Sequence, residues 1–481
     1  MQHTKKGYLL AEAVMILGVV ISLLSIATKS CIFFDEGFSI NLINNSFADV
    51  IQYTALDVHP PLYYLVLKVF AILFNNWFTA YYIPSILCYV FLIALTFRFF
   101  NKHFTPDAAM LVTASLCSAP GMLETALQLR MYSMAMLFVT WSFYTVYELT
   151  QDIIETPNTK WSKHWLKLVL LNVLAAYTHY FAGVAVAAVS VFALIYLLYR
   201  GANLKKTLAN WSIHCALMLI LYLPWIPVLF KQMSNVGEGY WITAITEAEL
   251  HGYPNILFSL TNDLYRDLLI VAYLLGFFVF LKQFTRTHQN LWLAGCYIVI
   301  LMWFGFGIGY SMLRSPILTS RYMTVLLPLF WIPVCISYVK PKMHKYSALL
   351  FVLFALSFID TYELAYDKYS NMSQEDMIAE MQSVLSEDDA LFYTNIKNLC
   401  VQKAYMPNIN AYALEGCDKN EVFHYWPEMT GCTMITDVSE MNDIAGDIWV
   451  FEEKHVSLFE KEGWQCEIFD GEHCTMYRMY R

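Results

Sequence analysis

Five short stretches of this chain carry residue types able to do chemistry. Asp35 and Glu36 stand together in Cys-Ile-Phe-Phe-Asp-Glu-Gly-Phe at 31–38, and Asp57-Val-His-Pro-Pro-Leu-Tyr-Tyr runs to position 64. Glu124, Gln128, Arg130 and Tyr132 lie close together, Tyr177-Thr-His-Tyr-Phe occupies 177–181, and Arg314 precedes Ser320-Arg321-Tyr322. The set offers two adjacent carboxylates, two histidines (His59 and His179) and three arginines. A carboxylate near a hydroxyl can take its proton as the oxygen attacks. A guanidinium binds phosphate bidentately and stays charged. Neighbours in an extended loop point in different directions, so Asp35 and Glu36 divide the work. One suits a base, and the other suits holding an acceptor or a metal ion.

Taken singly, each residue has a plainer reading. The acidic pair could be a solvated loop or a helix cap, His59 could orient the double-proline turn, and His179 could be a hydrogen-bonded turn residue. Arg130 and Arg321 could reach lipid headgroups. Lys29, Lys231, Arg266 and Arg314 read as headgroup anchors, and Tyr240-Trp241 as an interface anchor. What argues for a site is the company these residues keep, which depends on the elements that position them.

Of the 481 residues, 58% are hydrophobic and only 14% charged, against roughly 25% charged in a soluble domain. A bilayer is the natural solvent for most of such a chain. Eleven runs are long enough to be read as spanning helices: about 8–27, then 79–97, 108–125, 132–149, 166–180, 181–199, 208–230, 267–283, 290–311, 321–339 and 345–360. With these spans, 15 of the 22 Lys and Arg before position 360 fall on one side, which the positive-inside rule makes the cytoplasm. That parity requires the short apolar run Pro61–Phe74 to lie in the interface or re-enter from outside. All five chemical stretches then meet the extracytoplasmic face. Ionisable groups at such depth are costly and mark function.

Residues 361–481 differ in kind. They hold 8 Lys and Arg against 23 Asp and Glu, a net −15, while residues 1–360 carry +6. A boundary near 360 therefore separates a membrane domain from an acidic soluble domain, expected outside the cell. Its acidity argues against nucleic acid as a partner. A helix over 373–385 and strands near 390–394, 433–436, 447–451 and 475–480 predict a small α/β fold. Cys400, Cys417, Cys432, Cys466 and Cys474 leave room for one or two disulfides outside the cytoplasm. Asn371-Met-Ser373 matches a glycosylation sequon.

The acidic pair after the first helix, His-Pro-Pro-Leu-Tyr-Tyr at 59–64, Arg-Met-Tyr at 130–132, Tyr-Thr-His-Tyr-Phe at 177–181 and Arg-Tyr at 321–322 together resemble the GT-C glycosyltransferases. The pattern is similar in particular to the protein O-mannosyltransferases (family 39) and their bacterial relatives, including aminoarabinose lipid A transferases. The resemblance covers residues 1–360. It implies a GT-C-like polytopic α-helical membrane protein. Such an enzyme moves a sugar, with inversion, from a polyprenyl-phosphate donor to a surface polysaccharide, lipid or protein acceptor outside the cytoplasm.

The resemblance puts the catalytic acid at the first position of the pair, Asp35, with Glu36 beside it. Arg321 and Arg130, with Tyr322 and Arg314, are expected to bind the donor phosphate. His59, Tyr63, Tyr132 and His179 are expected around the substrates. No cofactor is implied with certainty, and a divalent metal is not indicated. The tail matches no part of this pattern and does not look like a β-trefoil. Two rival classes remain: a transporter or flippase of lipid-linked saccharides, and a non-catalytic scaffold. A transporter should carry polar groups at the bilayer midplane in repeated halves, whereas these helix interiors are nearly uncharged. A scaffold leaves the arginines and the acidic pair unexplained.

Overall fold

The computed structural model describes the chain except residues 1, 29–31, 157–161, 236–241, 243–245, 285–287, 371–373 and 417–424. Lys29, Lys160, Tyr240, Trp241, Arg286, Cys417 and the sequon at 371–373 thus lie outside the described residues.

Helix α1 (Gln2–Ala27) has 26 residues. At about 1.5 Å per residue it exceeds the roughly 30 Å hydrocarbon core. Three short helices follow: α2 (Phe34–Asn44), α3 (Phe47–Leu56) and α4 (Leu62–Leu73). Ser46 caps α3 by accepting from Asp49 N, and the Asp49 carboxylate returns the bond, which closes orphan donors at a helix start. At the other end of α2, Lys68 of α4 donates Nζ to the carbonyls of Ile43 (2.8 Å) and Asn45. A cation there meets both the unpaired carbonyls and the negative end of the helix dipole. The Pro61–Phe74 run is thus a 12-residue apolar helix, too short to span.

The membrane bundle continues with α5 (Ile83–His103), α6 (Pro106–Ser118), α7 (Met122–Leu127) and α8 (Tyr132–Glu155). The run expected at 108–125 is broken between α6 and α7. Pro120 lies in the break, and Gly121 takes φ +78°, a left-handed turn that glycine adopts without steric cost. After the break the short α7 and the link to α8 bring Gln128 and Arg130 toward α2. Next come α9 (Lys163–Thr178), α10 (Tyr180–Tyr199), α11 (Leu204–Tyr222), α12 (Ile226–Asn235) and α13 (Glu247–Phe258). The membrane helices end with α14 (Asp263–Gln283), α15 (His288–Leu313), α16 (Leu327–Tyr338) and α17 (Ser347–Ser370). A 3-10 turn over Ser320–Leu326 leads into α16.

Each of the eleven expected runs is mostly helical, although that at 108–125 is split between α6 and α7. Eight helical segments among the described residues are long and apolar enough to cross a membrane by themselves, and the protein is an integral membrane protein. The other three expected spans lie on α6, α8 and α9. Helices α6 and α9 have 13 and 16 residues. Helix α8 has 24 residues but buries Ser133, Thr140, Ser142, Thr145 and Thr150 among its neighbours. A helix enclosed by others need not present an apolar surface to lipid. The last membrane helix runs on to Ser370. Asp360, inside it, accepts from Thr261 N (2.7 Å), Thr261 Oγ1 (2.5 Å) and Asn262 N (3.0 Å), tying the loop before α14 to α17.

Beyond 370 lies an α/β fold. Helix α18 (Gln374–Val384), β1 (Ala390–Tyr393), α19 (Ile396–Tyr405) and β2 (Asn410–Leu414) come first. Then follow α20 (Trp426–Thr430), β3 (Thr433–Ile435), β4 (Ile448–Val450), α21 (Val456–Lys461), β5 (Gln465–Asp470) and β6 (Thr475–Tyr480). The sheet order is β3-β2-β1-β4-β6-β5. The first four strands are parallel, and β5 and β6 form an antiparallel hairpin. Cys400, Cys432, Cys466 and Cys474 are all free thiols.

Candidate functional site

Asp35 and Glu36 sit in the first turn of α2 and face different ways. Both Glu36 oxygens are taken by backbone: Oε2 accepts from Phe33 N (2.8 Å) and Oε1 from Leu129 N (2.9 Å). Glu36 is 1% exposed. It thereby ties the start of α2 to the segment that carries Arg130, which is a structural task. Asp35 points into open space, its side chain 38% exposed, and its Oδ2 lies 3.1 Å from Arg321 Nη1.

Their surroundings set the two carboxyls apart. For Asp35 burial raises the affinity for a proton, but the guanidiniums of Arg130 and Arg321 outweigh it, so the group lies below the usual carboxylate range. For Glu36 burial prevails over its two backbone hydrogen bonds and pushes the carboxyl up to about 7. A raised folded value means that the contribution to stability is complete below pH 4.5 and fades as pH climbs through about 7. Raising pH from about 5 to 8 should therefore lower the thermal midpoint of the wild type more than that of Glu36→Gln. Glu36→Leu, which leaves two N–H groups unpartnered at about 1–3 kcal/mol each, should destabilise the protein more than Glu36→Gln, whose single amide oxygen keeps one of the two bonds, in the same melting assay.

Arg130 is buried, yet it reaches three groups with two nitrogens. Nη1 donates to Tyr64 Oη (3.1 Å) and the Asp35 carbonyl (3.4 Å), and Nη2 meets His59 Nε2 at 3.3 Å. Arginine can only donate, so His59 Nε2 accepts and its proton sits on Nδ1. From there it donates to Asp57 Oδ2 at 2.9 Å. Burial likewise holds His59 below the usual imidazole range, outweighing the pull of Asp57. The neutral tautomer thus follows from the bonding as well. Arg130 Nε and Tyr132 Oη are buried with no hydrogen-bond partner among the described residues. Buried donors left open at a cavity suit an incoming polar ligand.

His179 caps α10, with Nδ1 accepting from Phe181 N at 3.2 Å. Its ring lies among those of His59 (6.2 Å), Tyr132 (5.8 Å) and Tyr322 (5.0 Å). Arg321 and Tyr322 open the 3-10 turn before α16, and Glu249 of α13 accepts from Ser320 N and fixes that start.

Two cavities meet at these residues. One, of about 360 Å³, is polar and is lined by Asp35, Gln128, Arg130, Tyr132, Arg321 and Lys368 among others. The second, of about 610 Å³, is mostly apolar and runs between α9, α10 and α11, with His59, His179, Phe181, Met218, Ile317 and Tyr322 on its walls. The two are back to back here, since His59 of one touches Arg130 of the other. Among the described residues no three His, Cys, Asp or Glu side chains converge to hold a metal ion.

Of the residues singled out in the sequence, Asp35, Arg130, Tyr132, Arg321, His59, His179 and Tyr322 come together here, and Glu36 braces them from behind. Tyr63 does not reach a cavity; it is fully buried and hydrogen-bonded to Ser85 Oγ at 3.0 Å. Its neighbour Tyr64 meets Arg130 instead, because adjacent helical positions lie about 100° apart. Arg314 is exposed, one residue beyond α15, and lines neither cavity. Lys368 was not foreseen. It pairs with Glu124 at 2.6 Å on the rim of the polar cavity and covers the Phe33 ring. In the sequence it reads only as one cation in an acidic tail.

This arrangement of helices and pocket defines a class. Residues 58–228, about a third of the chain, match the model of the family described as Dolichyl-phosphate-mannose-protein mannosyltransferase. The chain has an ArnT-like fold. It is similar to ArnT from Cupriavidus metallidurans in the apo state, with a TM-score of 0.61 and 10% identity over 97% of both chains. It is likewise similar to that enzyme bound to undecaprenyl phosphate, with a TM-score of 0.63 at the same identity and coverage. No curated protein matches the sequence.

Proposed function

We propose that this protein is an inverting glycosyltransferase that takes a sugar from a polyprenyl-phosphate donor and gives it to an acceptor hydroxyl at the extracytoplasmic membrane face. The observation that carries this reading is one accessible carboxylate, Asp35, 3.1 Å from a guanidinium at the junction of a polar and an apolar cavity. The apolar chamber suits a prenyl chain, and the polar one suits sugar and acceptor. The phosphate then falls at the junction, beside Arg130 and Arg321.

The chemistry follows from the groups present. The acceptor oxygen attacks the anomeric carbon and its proton passes to the Asp35 carboxylate. The bond from that carbon to the phosphate oxygen breaks, and polyprenyl phosphate leaves with the electron pair. The leaving group is already an anion, so it calls for cations more than for an acid, unlike a glycosidic oxygen. A retaining route needs a carboxylate nucleophile in addition to the acid/base. Glu36 is committed to backbone N–H groups, and Glu124 to Lys368. Asp35, whose partner Arg321 is the one that a donor phosphate would take, is then the carboxylate left to react, and one such group supports a single displacement with inversion.

The Asp35–Arg321 pair also gives an order to events. With the pair formed, Asp35 is a weak base. A donor phosphate that takes the Arg321 guanidinium for itself frees the carboxylate and restores its basicity.

Membranes from cells lacking the native protein supply donor and acceptor together. Adding back the purified full-length protein should release free polyprenyl phosphate, measured by mass spectrometry. No release above the protein-free control would refute the transferase reading. The orientation has its own test. Cysteine placed at the exposed Lys163 should resist a membrane-impermeant maleimide in intact cells and react after lysis, as read on the tryptic peptide. Labelling of intact cells would invert the topology.

A further inference from the structure

Helix α2 carries the candidate base, and the C-terminal domain grips it. Two residues after Asp35, Gly37 lies flat against α19. A Cβ there would come 2.8 Å from the Cys400 carbonyl oxygen and 3.1 Å from Val401 Cα. One turn on, Asn41 is 3% exposed, and its Nδ2 donates both to Cys400 O (2.7 Å) and to Gly37 O (2.8 Å). One turn further, Asn45 Nδ2 donates to Met429 O at 3.0 Å. Positions 37, 41 and 45 share one helix face, so a whole stripe of α2 is docked on α19 and α20. Phe34 and Phe38 pack on the Trp426 ring at 5.1 and 5.2 Å, and Ile32 N donates to Gln374 Oε1 at 3.1 Å. On its other flank, Glu36 fastens the same turn to Leu129, next to Arg130.

We infer that the C-terminal domain is a working part of the transfer site: α19 braces α2, and Asn41 is a positioning residue that sets where Asp35 stands relative to Arg321 and Arg130. This rests on the reading of Asp35 as base. The physical ground is the sensitivity of the step to geometry. A shift of about 1 Å in a reacting group can cost on the order of a hundredfold in rate, and α19 and α20 of the domain hold this face of α2. A buried amide that donates to carbonyls of two helices fixes their register, because a slip leaves its N–H groups buried without an acceptor. The domain's acidic surface would then serve solubility, while its α19–α20 side serves the site.

The test uses the full chain and the polyprenyl phosphate release assay, normalised to folded protein. Asn41→Leu removes both amide bonds at similar size, and Gly37→Ala pushes α2 off α19. Both should lower release by about tenfold or more, while binding of undecaprenyl phosphate stays near that of the wild type. The acidic limb of the pH–rate profile should move to higher pH, because Asp35 drawn away from two guanidiniums becomes more basic. A role confined to folding would lower the yield and leave that limb in place. Asn41→Ser keeps the bond to Gly37 O but cannot reach Cys400, and it carries the same expectation if Asn41→Leu does not fold. Arg478→Ala, which breaks ion pairs with Asp447 and Glu467 away from α2, should transfer normally. If Asp35→Asn is inactive yet the Asn41 and Gly37 variants keep the wild-type rate and limb, the brace is refuted and the base stands. If Asp35→Asn turns over normally, the base assignment itself fails.

Discussion

Asp35→Asn should abolish transfer, lowering polyprenyl phosphate release by about 10²–10⁴-fold, the usual contribution of a positioned general base. Its affinity for undecaprenyl phosphate should hold or tighten. The asparagine keeps the size of the side chain and loses only the charge that competes with phosphate for Arg321. The effect should be far larger than that of Glu36→Gln, although the two carboxylates are adjacent. Glu36 spends both oxygens on backbone N–H groups and is 1% exposed, whereas Asp35 is 38% exposed to the polar cavity. Equal losses in stability-matched assays would mean that the roles of the pair are wrongly divided. A normal rate in Asp35→Asn would remove it as base.

Arg321→Ala should weaken binding of undecaprenyl phosphate and lower transfer by about 10²–10³-fold, as loss of a preorganised charge partner does elsewhere. Arg321→Lys should recover only part of this, since an ammonium cannot bind phosphate with a planar fork. Arg314→Ala is the matched comparison. That residue lies in the same linker but is exposed and away from both cavities, so its removal should leave affinity unchanged. Equal binding by Arg321→Ala and the wild type, measured by microscale thermophoresis in detergent, would take the phosphate role from Arg321.

The membrane part of the fold was legible because lipid imposes long apolar runs and charge asymmetry marks their ends. The runs expected from hydropathy are mostly helical, that at 108–125 being split by the turn at Gly121, and the short Pro61–Phe74 run is helical but not long enough to cross. The ends were less legible. Helix α17 continues through Asp360, Glu363 and Lys368, charges that look like the start of a soluble tail. Asp360 tolerates the position because three donors from the loop before α14 meet it, a contact nearly a hundred residues apart.

In the tail β2 was missed, whereas β1, β3, β4 and β6 could be read from the sequence. Strand β5 could not, because Gln465-Cys-Glu-Ile-Phe-Asp is mostly exposed at the sheet edge. The site divides in the same way. Residue types and their common side singled out Asp35, Arg130 and Arg321. The choice between Tyr63 and Tyr64, the ion pair of Lys368 with Glu124, and the seat of Gly37 and Asn41 on Cys400 all depend on helix phase or on contacts across hundreds of residues. No local pattern records them.

The central claim is that one carboxylate and two guanidiniums form a single seat for a sugar phosphate. The most direct measurement is a cryo-EM structure of the full-length protein with undecaprenyl phosphate. The account predicts phosphate density between Arg130 and Arg321, the Asp35–Arg321 pair opened, and the prenyl chain running into the apolar cavity beside His179 and Tyr322. Phosphate density elsewhere, with the 3.1 Å pair of Asp35 and Arg321 intact, would contradict it.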